Sequence, residues 1–367
     1  MEKPIYVTNP FLVPLKKFEN YLKKIWNNKW LTNNGEFHQE LELKLADFLQ
    51  VPYVSLTGNG TLALMLAIKA LDLKGEIVTT PFSFVATTHA ICWQNCRPVF
   101  CDIESNTLNI DPQKIESLIT DKTSAIMPVH VYGNPCDHEN IQRIARKHDL
   151  KIIYDAAHAF NVKKKEQSIL NWGDLAVLSF HATKVFNTFE GGAIICQNIE
   201  MKKKIDLLKN FGFENETTVS AIGINAKMNE FQAAFGLMQL DYVEENIKKR
   251  KAITDNYRRE LADIEGISCL KISEDVRQNY SFFPILVDKD KYGLSRDELY
   301  EKLKENNVYA RRYFYPLISN FPSYRGYTSA KTKKLPVANK IADQIICLPI
   351  YLELTSHQLA YIIQIIK

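Results

Sequence analysis

Residues 152–158 read Ile-Ile-Tyr-Asp-Ala-Ala-His, and residues 177–184 read Val-Leu-Ser-Phe-His-Ala-Thr-Lys. Each stretch begins as a short apolar run, which is typical of a buried strand, and ends in polar side chains. In doubly wound α/β sheets, ligands bind beyond the carboxyl ends of the strands. The two stretches therefore predict that Asp155 and Lys184 stand at the ligand-binding edge of such a sheet.

Outward from these stretches, short β-rich runs alternate with helical stretches between about residues 50 and 200. We predict strands at Glu76–Thr80, Pro98–Asp102, Ala125–Val131, Lys151–Asp155, Leu175–Phe180 and Gly192–Cys196. We predict helices at Thr61–Leu71, Phe84–Gln94 and His138–His148. This alternation indicates an α/β fold with a mixed, mostly parallel central sheet that is covered on both faces.

The pattern changes after a long helical stretch from about Lys227 to Ala262. Beyond it we predict a strand at Tyr280–Val287, a helix at Ser295–Asn306 and a closing helix at Gln358–Ile366. Ser295 and Glu298 have the spacing of a capping box. We therefore predict a large domain over residues 1–240 and a smaller C-terminal α/β domain over residues 241–367.

The composition is that of an ordinary globular protein, with 367 residues of which 46% are apolar and 24% are charged. The net charge of +4 is dispersed, and its short basic runs lack interleaved aromatic residues, so we predict no nucleic-acid binding. The sequence contains no stretch of eighteen uncharged apolar residues, so we predict no membrane span. Seven scattered cysteines and the absence of a signal-peptide pattern predict a cytoplasmic protein with free thiols and no metal site.

A third feature is the turn at residues 58–61, Gly-Asn-Gly-Thr, which opens a predicted helix. Free backbone N–H groups at a helix start favour a phosphate, although such a turn is also a common connector. Asp155 alone is more often a cap or turn residue, and Lys184 alone is usually a surface lysine. Together, the three features supply what is needed to hold pyridoxal phosphate: a phosphate cradle, a carboxylate for the pyridine nitrogen and a reactive amine.

Over nearly its whole length the chain resembles the sugar aminotransferases of the DegT/DnrJ/EryC1/StrS family, which have the fold of type I pyridoxal-phosphate enzymes. The matching stretches follow the family order, at residues 30–35, 59–64, 81–87, 128–133, 155–159, 179–184, 190–192, 223–228 and 348–350. Two positions depart from the family pattern, where Asn59 replaces a serine and Lys227 replaces an arginine. Neither departure removes a named catalytic group.

The resemblance implies roles for four residues around the cofactor ring. Lys184 would be the Schiff-base lysine, which also moves protons, and Asp155 would bind the pyridine nitrogen. Phe84 would stack on the ring, and His158 would approach its 3-hydroxyl. The alternative for His158 is a neutral histidine that only satisfies a strand-end carbonyl.

The resemblance also implies how the phosphate is held. Ser179 and the backbone of Gly60 and Thr61 would bind it within one chain. Asn225 would reach the phosphate of the neighbouring subunit, which implies a homodimer with shared active sites.

For the substrate, the resemblance implies amination at C-4 of the hexose rather than C-3, because family members that act at C-4 often carry His after Asp-Ala-Ala, as this chain does at His158. The resemblance implies conversion of dTDP-4-keto-6-deoxyglucose into dTDP-4-amino-4,6-dideoxyglucose with L-glutamate as donor, for a bacterial surface polysaccharide such as O-antigen. Arg311, Arg312 and Tyr313 are expected near the sugar nucleotide, where the arginines could pair with pyrophosphate. A cationic edge strand explains those arginines equally well.

Other functions remain open. Within the family, the alternatives are amination at C-3 or a UDP- or GDP-linked sugar. Relatives that carry His at the lysine position remove a hydroxyl group, and Lys184 argues against that reaction. A regulatory protein without cofactor could use the same fold, but the presence of Asp155, Ser179 and Lys184 together argues against it.

Overall fold

The computed structural model describes residues 3–367. Its strands, numbered in chain order, are β1 (Ile5–Tyr6), β2 (Tyr53–Thr57), β3 (Glu76–Thr79), β4 (Arg97–Phe100), β5 (Thr123–Met127), β6 (Lys151–Asp155), β7 (Lys163–Lys164), β8 (Gln167–Ser168), β9 (Leu175–Ser179), β10 (Gly192–Cys196), β11 (Ile267–Cys269), β12 (Val276–Arg277), β13 (Phe283–Val287), β14 (Val308–Tyr309) and β15 (Ile345–Leu348). Its α-helices are α1 (Leu15–Asn28), α2 (Glu36–Leu49), α3 (Gly60–Ala70), α4 (Ala86–Trp93), α5 (Pro112–Ile115), α6 (His138–Lys147), α7 (Ile199–Leu208), α8 (Glu230–Leu240), α9 (Val243–Leu261), α10 (Lys289–Tyr292), α11 (Arg296–Glu305), α12 (Pro336–Gln344) and α13 (Ser356–Ile366).

A seven-stranded sheet in the order β2-β10-β9-β6-β5-β3-β4 forms the centre of the large domain. Strand β10 is antiparallel to both of its neighbours, and the other adjacent pairs are parallel. The prediction of a mixed, mostly parallel sheet is therefore confirmed. Because β6 and β9 are parallel neighbours, their carboxyl ends lie side by side.

The sequence patterns missed strand β2. Two of its five residues, Ser55 and Thr57, are polar, so the segment does not read as an apolar strand. Both are nevertheless buried. The Ser55 hydroxyl donates to an Asp206 carboxylate oxygen at 2.6 Å and accepts from Lys209 at 3.0 Å, which satisfies it inside the protein.

Three predicted strands extend at least two residues beyond the observed strands. The strands expected at 98–102, 125–131 and 280–287 are Arg97–Phe100, Thr123–Met127 and Phe283–Val287. The extra residues lie outside the regular strands, where apolar side chains such as those of Val129 and Val131 are still buried, and Val129 forms only an isolated bridge with Asp155. A buried loop can therefore give the same run of apolar residues in the sequence as a buried strand.

The predicted helical stretch over 227–262 is two helices, α8 and α9, separated at Asp241 and Tyr242. Helix α8 starts at a capping box formed by Asn229 and Gln232. The capping box predicted at Ser295 and Glu298 is confirmed at the start of α11. Helix α13 begins two residues earlier than predicted because a third capping box, at Thr355 and Gln358, opens it.

Helix α9 links the two halves of the chain. Its first turns contribute Val243 and Ile247 to the core around the seven-stranded sheet. Its later turns contribute Ile253, Tyr257 and Leu261 to a second core, which packs on the small sheet β11-β13-β15. A domain boundary at 240/241 stays a prediction, since the helix that follows it belongs to both cores.

Among residues 3–367, no helix combines the length and the apolar character that are needed to cross a bilayer.

Candidate active site

A cavity of about 800 Å³ opens beyond the carboxyl ends of β6 and β9. Eight predicted site residues line it, namely Gly60, Thr61, Phe84, Asp155, His158, Ser179, Lys184 and Tyr313. The opposite wall comes from the C-terminal half of the chain, with Phe282, Phe314, Leu348 and Ile350. The cavity therefore brings most of the predicted site together between the two cores.

Asp155 is the last residue of β6, and its side chain is buried. The Thr87 hydroxyl donates to one carboxylate oxygen at 2.7 Å, and the Ala157 N–H donates to the other at 3.1 Å. Burial raises the pKa of Asp155, while the Thr87 and Ala157 hydrogen bonds and the charge of Lys184 oppose that shift. Within residues 3–367 no cationic side chain forms a salt bridge with it, so the carboxylate is suited to a cationic group bound in the cavity.

Thr87 is a site residue that the sequence patterns missed. It lies in the first turn of α4, where its hydroxyl also contacts the Ser83 hydroxyl at 2.9 Å. The only sequence feature that could have pointed to Thr87 is a pair of hydroxyl residues, Ser83 and Thr87, near the start of the predicted helix at 84–94. Neither residue type is distinctive there, because threonine and serine are common at helix starts.

Lys184 lies in the loop after β9 and is partly buried. The backbone N–H of Lys184 donates to the His181 carbonyl at 2.9 Å, which fixes the loop. Burial lowers the pKa of Lys184 to about 8, although Asp155 raises it. A lysine with such a pKa is partly neutral near pH 7–8, as a nucleophile or proton carrier must be.

The turn before α3 lies directly against the end of β9. A Cβ atom on Gly60 would come within 2.9 Å of the Ser179 Cβ, and one on Gly192 would come within 2.7 Å of the Asn59 carbonyl carbon. Both positions thus exclude side chains. Asn59 caps α3 by accepting from the Leu62 N–H at 2.9 Å.

The same turn leaves hydrogen-bond donors open to the cavity. The N–H groups of Gly60 and Thr61 donate to no group among residues 3–367. Ser179 stands beside them with its hydroxyl. Two free amides at a helix start and one hydroxyl are suited to a phosphate group.

His158 is buried, and its ring contacts aromatic side chains of the C-terminal half. Its centroid lies 4.7 Å from that of Phe282 and 5.8 Å from that of Phe314. Burial lowers the pKa of His158 well below its ordinary value, so the ring is neutral. Its Nδ1 accepts a hydrogen bond from the Tyr132 N–H at 3.2 Å, and the ring donates to no strand-end carbonyl within residues 3–367.

Three predicted site residues do not line the cavity. Asn225 is exposed and pairs with Asn210 at the base of a loop. Arg311 is exposed, with its backbone paired to Cys347. Arg312 donates to an Asp297 carboxylate oxygen at 2.7 Å and packs over the Tyr300 ring.

Residues 15–367 match the model of the DegT/DnrJ/EryC1/StrS aminotransferase family. The chain belongs to this family. The predicted family, fold class and aminotransferase activity are thereby confirmed. Aminotransferases of this family depend on pyridoxal phosphate.

Two relatives named dTDP-4-amino-4,6-dideoxy-D-glucose transaminase are similar over their whole lengths. The protein from Shigella dysenteriae is 54% identical over 367 residues, which cover 100% of this chain and 99% of the relative. The protein from Escherichia coli is 52% identical over 356 residues, which cover 96% and 95%. The crystal structure of DesI in the presence of its TDP-sugar product has a TM-score of 0.95 at 32% identity, covering 100% of this chain and 92% of that one.

We expect the hydrogen bond from Thr87 to the Asp155 carboxylate to stabilise the folded chain, whether or not a cofactor is bound. Thr87→Val keeps the shape of the side chain but removes the donor to a buried carboxylate, so the free energy of unfolding near neutral pH should fall by about 1.5–3 kcal/mol. The loss should shrink as the pH falls, because protonation of Asp155 removes the charge that the hydroxyl stabilises. Urea unfolding at neutral and acidic pH measures both effects.

Thr87→Ser is the matched control, because it keeps the hydroxyl and loses only a methyl group. Its loss should be smaller than that of Thr87→Val at neutral pH. Equal losses in the two variants, with no dependence on pH, would show that the hydroxyl does not stabilise the ionised carboxylate.

Proposed function

We propose that this chain transfers an amino group from L-glutamate to C-4 of dTDP-4-keto-6-deoxyglucose and releases dTDP-4-amino-4,6-dideoxyglucose. The main support for the proposal is that Asp155, Lys184 and the free amides of the turn at residues 60–61 line the same cavity. The likeness to two enzymes named for this sugar supports the choice of substrate. The product would serve a bacterial surface polysaccharide such as O-antigen.

The cavity fits pyridoxal phosphate residue by residue. Gly60, Thr61 and Ser179 would hold its phosphate, and the ionised Asp155 carboxylate would keep the pyridine nitrogen protonated. The exposed ring of Phe84, 60% accessible, is free to stack on the pyridine. When bound, the cofactor supplies a carbonyl that condenses with amines and a ring that accepts electrons.

Lys184 would carry the protons of the reaction. A neutral amine can accept a proton from the carbon of the amino donor, and a charged amine can deliver a proton to the carbon of the acceptor in the second half of the reaction. A pKa of about 8 lets Lys184 act in both directions near neutral pH. Its Nζ lies 5.9 Å from the centre of the Phe282 ring, on the side of the cavity where a sugar would enter.

The apolar wall of the cavity is where the sugar would lie. Phe282, Tyr313 and Phe314 offer aromatic faces to the sugar ring. Arg311 is exposed and is the better placed of the two proposed pyrophosphate ligands, because Arg312 would first have to leave Asp297. We propose the cytoplasm as the compartment, which seven free cysteines support.

We also propose a homodimer with shared active sites. Asn225 lies at the base of a loop, residues 210–225, that exposes large apolar side chains, namely Phe211, Phe213, Val219, Ile222 and Ile224. Such a cluster favours burial against another protein surface. If a second copy of the chain covers this loop, Asn225 would lie near the turn at Gly60 and Thr61 of that second copy.

An assay with L-glutamate and a panel of dTDP-, UDP- and GDP-linked keto sugars tests the proposed reaction. We expect the fastest turnover with dTDP-4-keto-6-deoxyglucose, and mass and NMR analysis should place the new amine at C-4. Asp155→Asn should lower the rate about a hundredfold or more, since an amide cannot hold the pyridine nitrogen protonated. An amine at C-3, or preference for a UDP- or GDP-linked sugar, would contradict the proposed substrate.

Mixed dimers test the shared sites. Lys184→Ala and Asn225→Ala chains are dissociated and reassociated together. In a mixed dimer, both lesions fall in one site and leave the other intact, so the activity should exceed that of either parent. Mixed dimers that are confirmed by mass and show no such recovery would count against an Asn225 that acts across the interface.

A further inference from the structure

Tyr132 has a left-handed backbone conformation, with φ of 54° and ψ of 19°, in the turn that follows β5. A bulky residue rarely adopts this region, and it persists there only where its surroundings hold it. The conformation points the Tyr132 N–H at the Nδ1 atom of His158, 3.2 Å away. The strained residue therefore contacts a side chain of the candidate active site.

Both partners of this contact are fixed by other residues. The side chain of Asn109 accepts from the Val131 N–H at 2.9 Å, and the Tyr132 hydroxyl donates to the Tyr313 carbonyl, so the turn is held at both ends. The Asn279 side-chain amide donates to the His158 carbonyl at 2.9 Å. The Tyr132 N–H and the His158 ring thus face each other in a geometry that neither can easily leave.

The contact decides where the imidazole carries its proton. A backbone N–H can only donate, so the His158 Nδ1 must accept and cannot itself be protonated. In the neutral ring the proton is then on Nε2. Within residues 3–367 the ring makes no other hydrogen bond, and His158 lines the cavity. Its Nε2–H is therefore left available to a bound molecule.

We propose that Tyr132 is a positioning residue whose backbone N–H makes His158 a hydrogen-bond donor toward an oxygen of the bound cofactor. The family resemblance already implies that this acceptor is the oxygen on the pyridine ring of pyridoxal phosphate, so the acceptor, unlike the position of the proton, rests on the proposed function. A donor at this place stabilises the oxygen as an anion, whereas a histidine protonated at Nδ1 would present only a lone pair. The ring of Tyr132 packs against Phe314 and its hydroxyl donates to the Tyr313 carbonyl, and these contacts hold the residue in its strained conformation.

NMR of the full-length chain, labelled with ¹⁵N in its histidine rings, tests the proton position without cofactor or substrate. The resonances of His158 are identified by their loss in His158→Gln. Near neutral pH we expect an unprotonated Nδ1 and a protonated Nε2. A proton on Nδ1, or a doubly protonated ring, would overturn the inference.

Tyr132→Phe is the matched control for the origin of the effect. It removes the hydroxyl contact to Tyr313 and keeps the backbone N–H, so the proton should remain on Nε2. If the proton moved to Nδ1 in this variant, the tyrosine hydroxyl, and not the backbone N–H, would determine the proton position. That result would overturn the role of the amide.

A second measurement tests the donor role toward the cofactor. In His158→Gln, the side-chain oxygen can accept from Tyr132 while the amide nitrogen donates into the cavity, whereas His158→Met can do neither. Equilibrium dialysis should show pyridoxal phosphate binding about tenfold weaker to the Met variant than to the Gln variant, the value of one hydrogen bond. Equal affinities would overturn the donor role. If the proton position is as expected but the chain aminates no keto sugar, the proposed function alone fails.

Discussion

A carboxylate inside a protein stays charged only where hydrogen bonds or a nearby positive charge offset its loss of water. Asp155 is in this position, buried at the end of β6 with one hydroxyl and one backbone N–H as its donors. No residue of the described chain 3–367 supplies a paired cation, although Lys184 is near enough to influence its pKa. The arrangement is unfavourable for stability alone and becomes favourable once a cationic group is bound.

The rest of the large domain holds this carboxylate in reach of its partners. The sheet order places β6 beside β9, so Asp155 and the loop that carries Lys184 meet at one edge. Gly60 allows the turn before α3 to lie against the end of β9, and Gly192 allows the same turn to lie against the start of β10. Helix α4 brings Thr87 from another part of the sequence. The meeting of these residues in one cavity is therefore a consequence of how the parallel strands are ordered.

The sequence could predict Asp155 and Lys184 because the end of an apolar strand marks the ligand-binding edge of such a sheet. It could not predict Thr87 or Tyr132, whose roles depend on loops that meet only after folding. Strand β2 was not predicted for a similar reason. Ser55 is polar, but in the fold its hydroxyl forms hydrogen bonds with Asp206 and Lys209, so it can be buried. From the sequence we expected Arg312 near the sugar nucleotide, but the sequence could not reveal the Asp297 carboxylate that pairs with this guanidinium. Local patterns thus located the ends of β6 and β9 to within one residue but overran other strands, and they did not reveal side-chain partners.

We propose that the Lys184 amine is the group that joins pyridoxal phosphate in this cavity. Borohydride reduction of the chain after incubation with pyridoxal phosphate makes such a link permanent, and peptide mapping by mass spectrometry locates it. Lys184→Arg, which keeps the charge and lacks a reactive primary amine, is the control. We expect one label per chain, on Lys184, and none at that position in the control. A label on another lysine, or one spread over the surface lysines, would contradict the account.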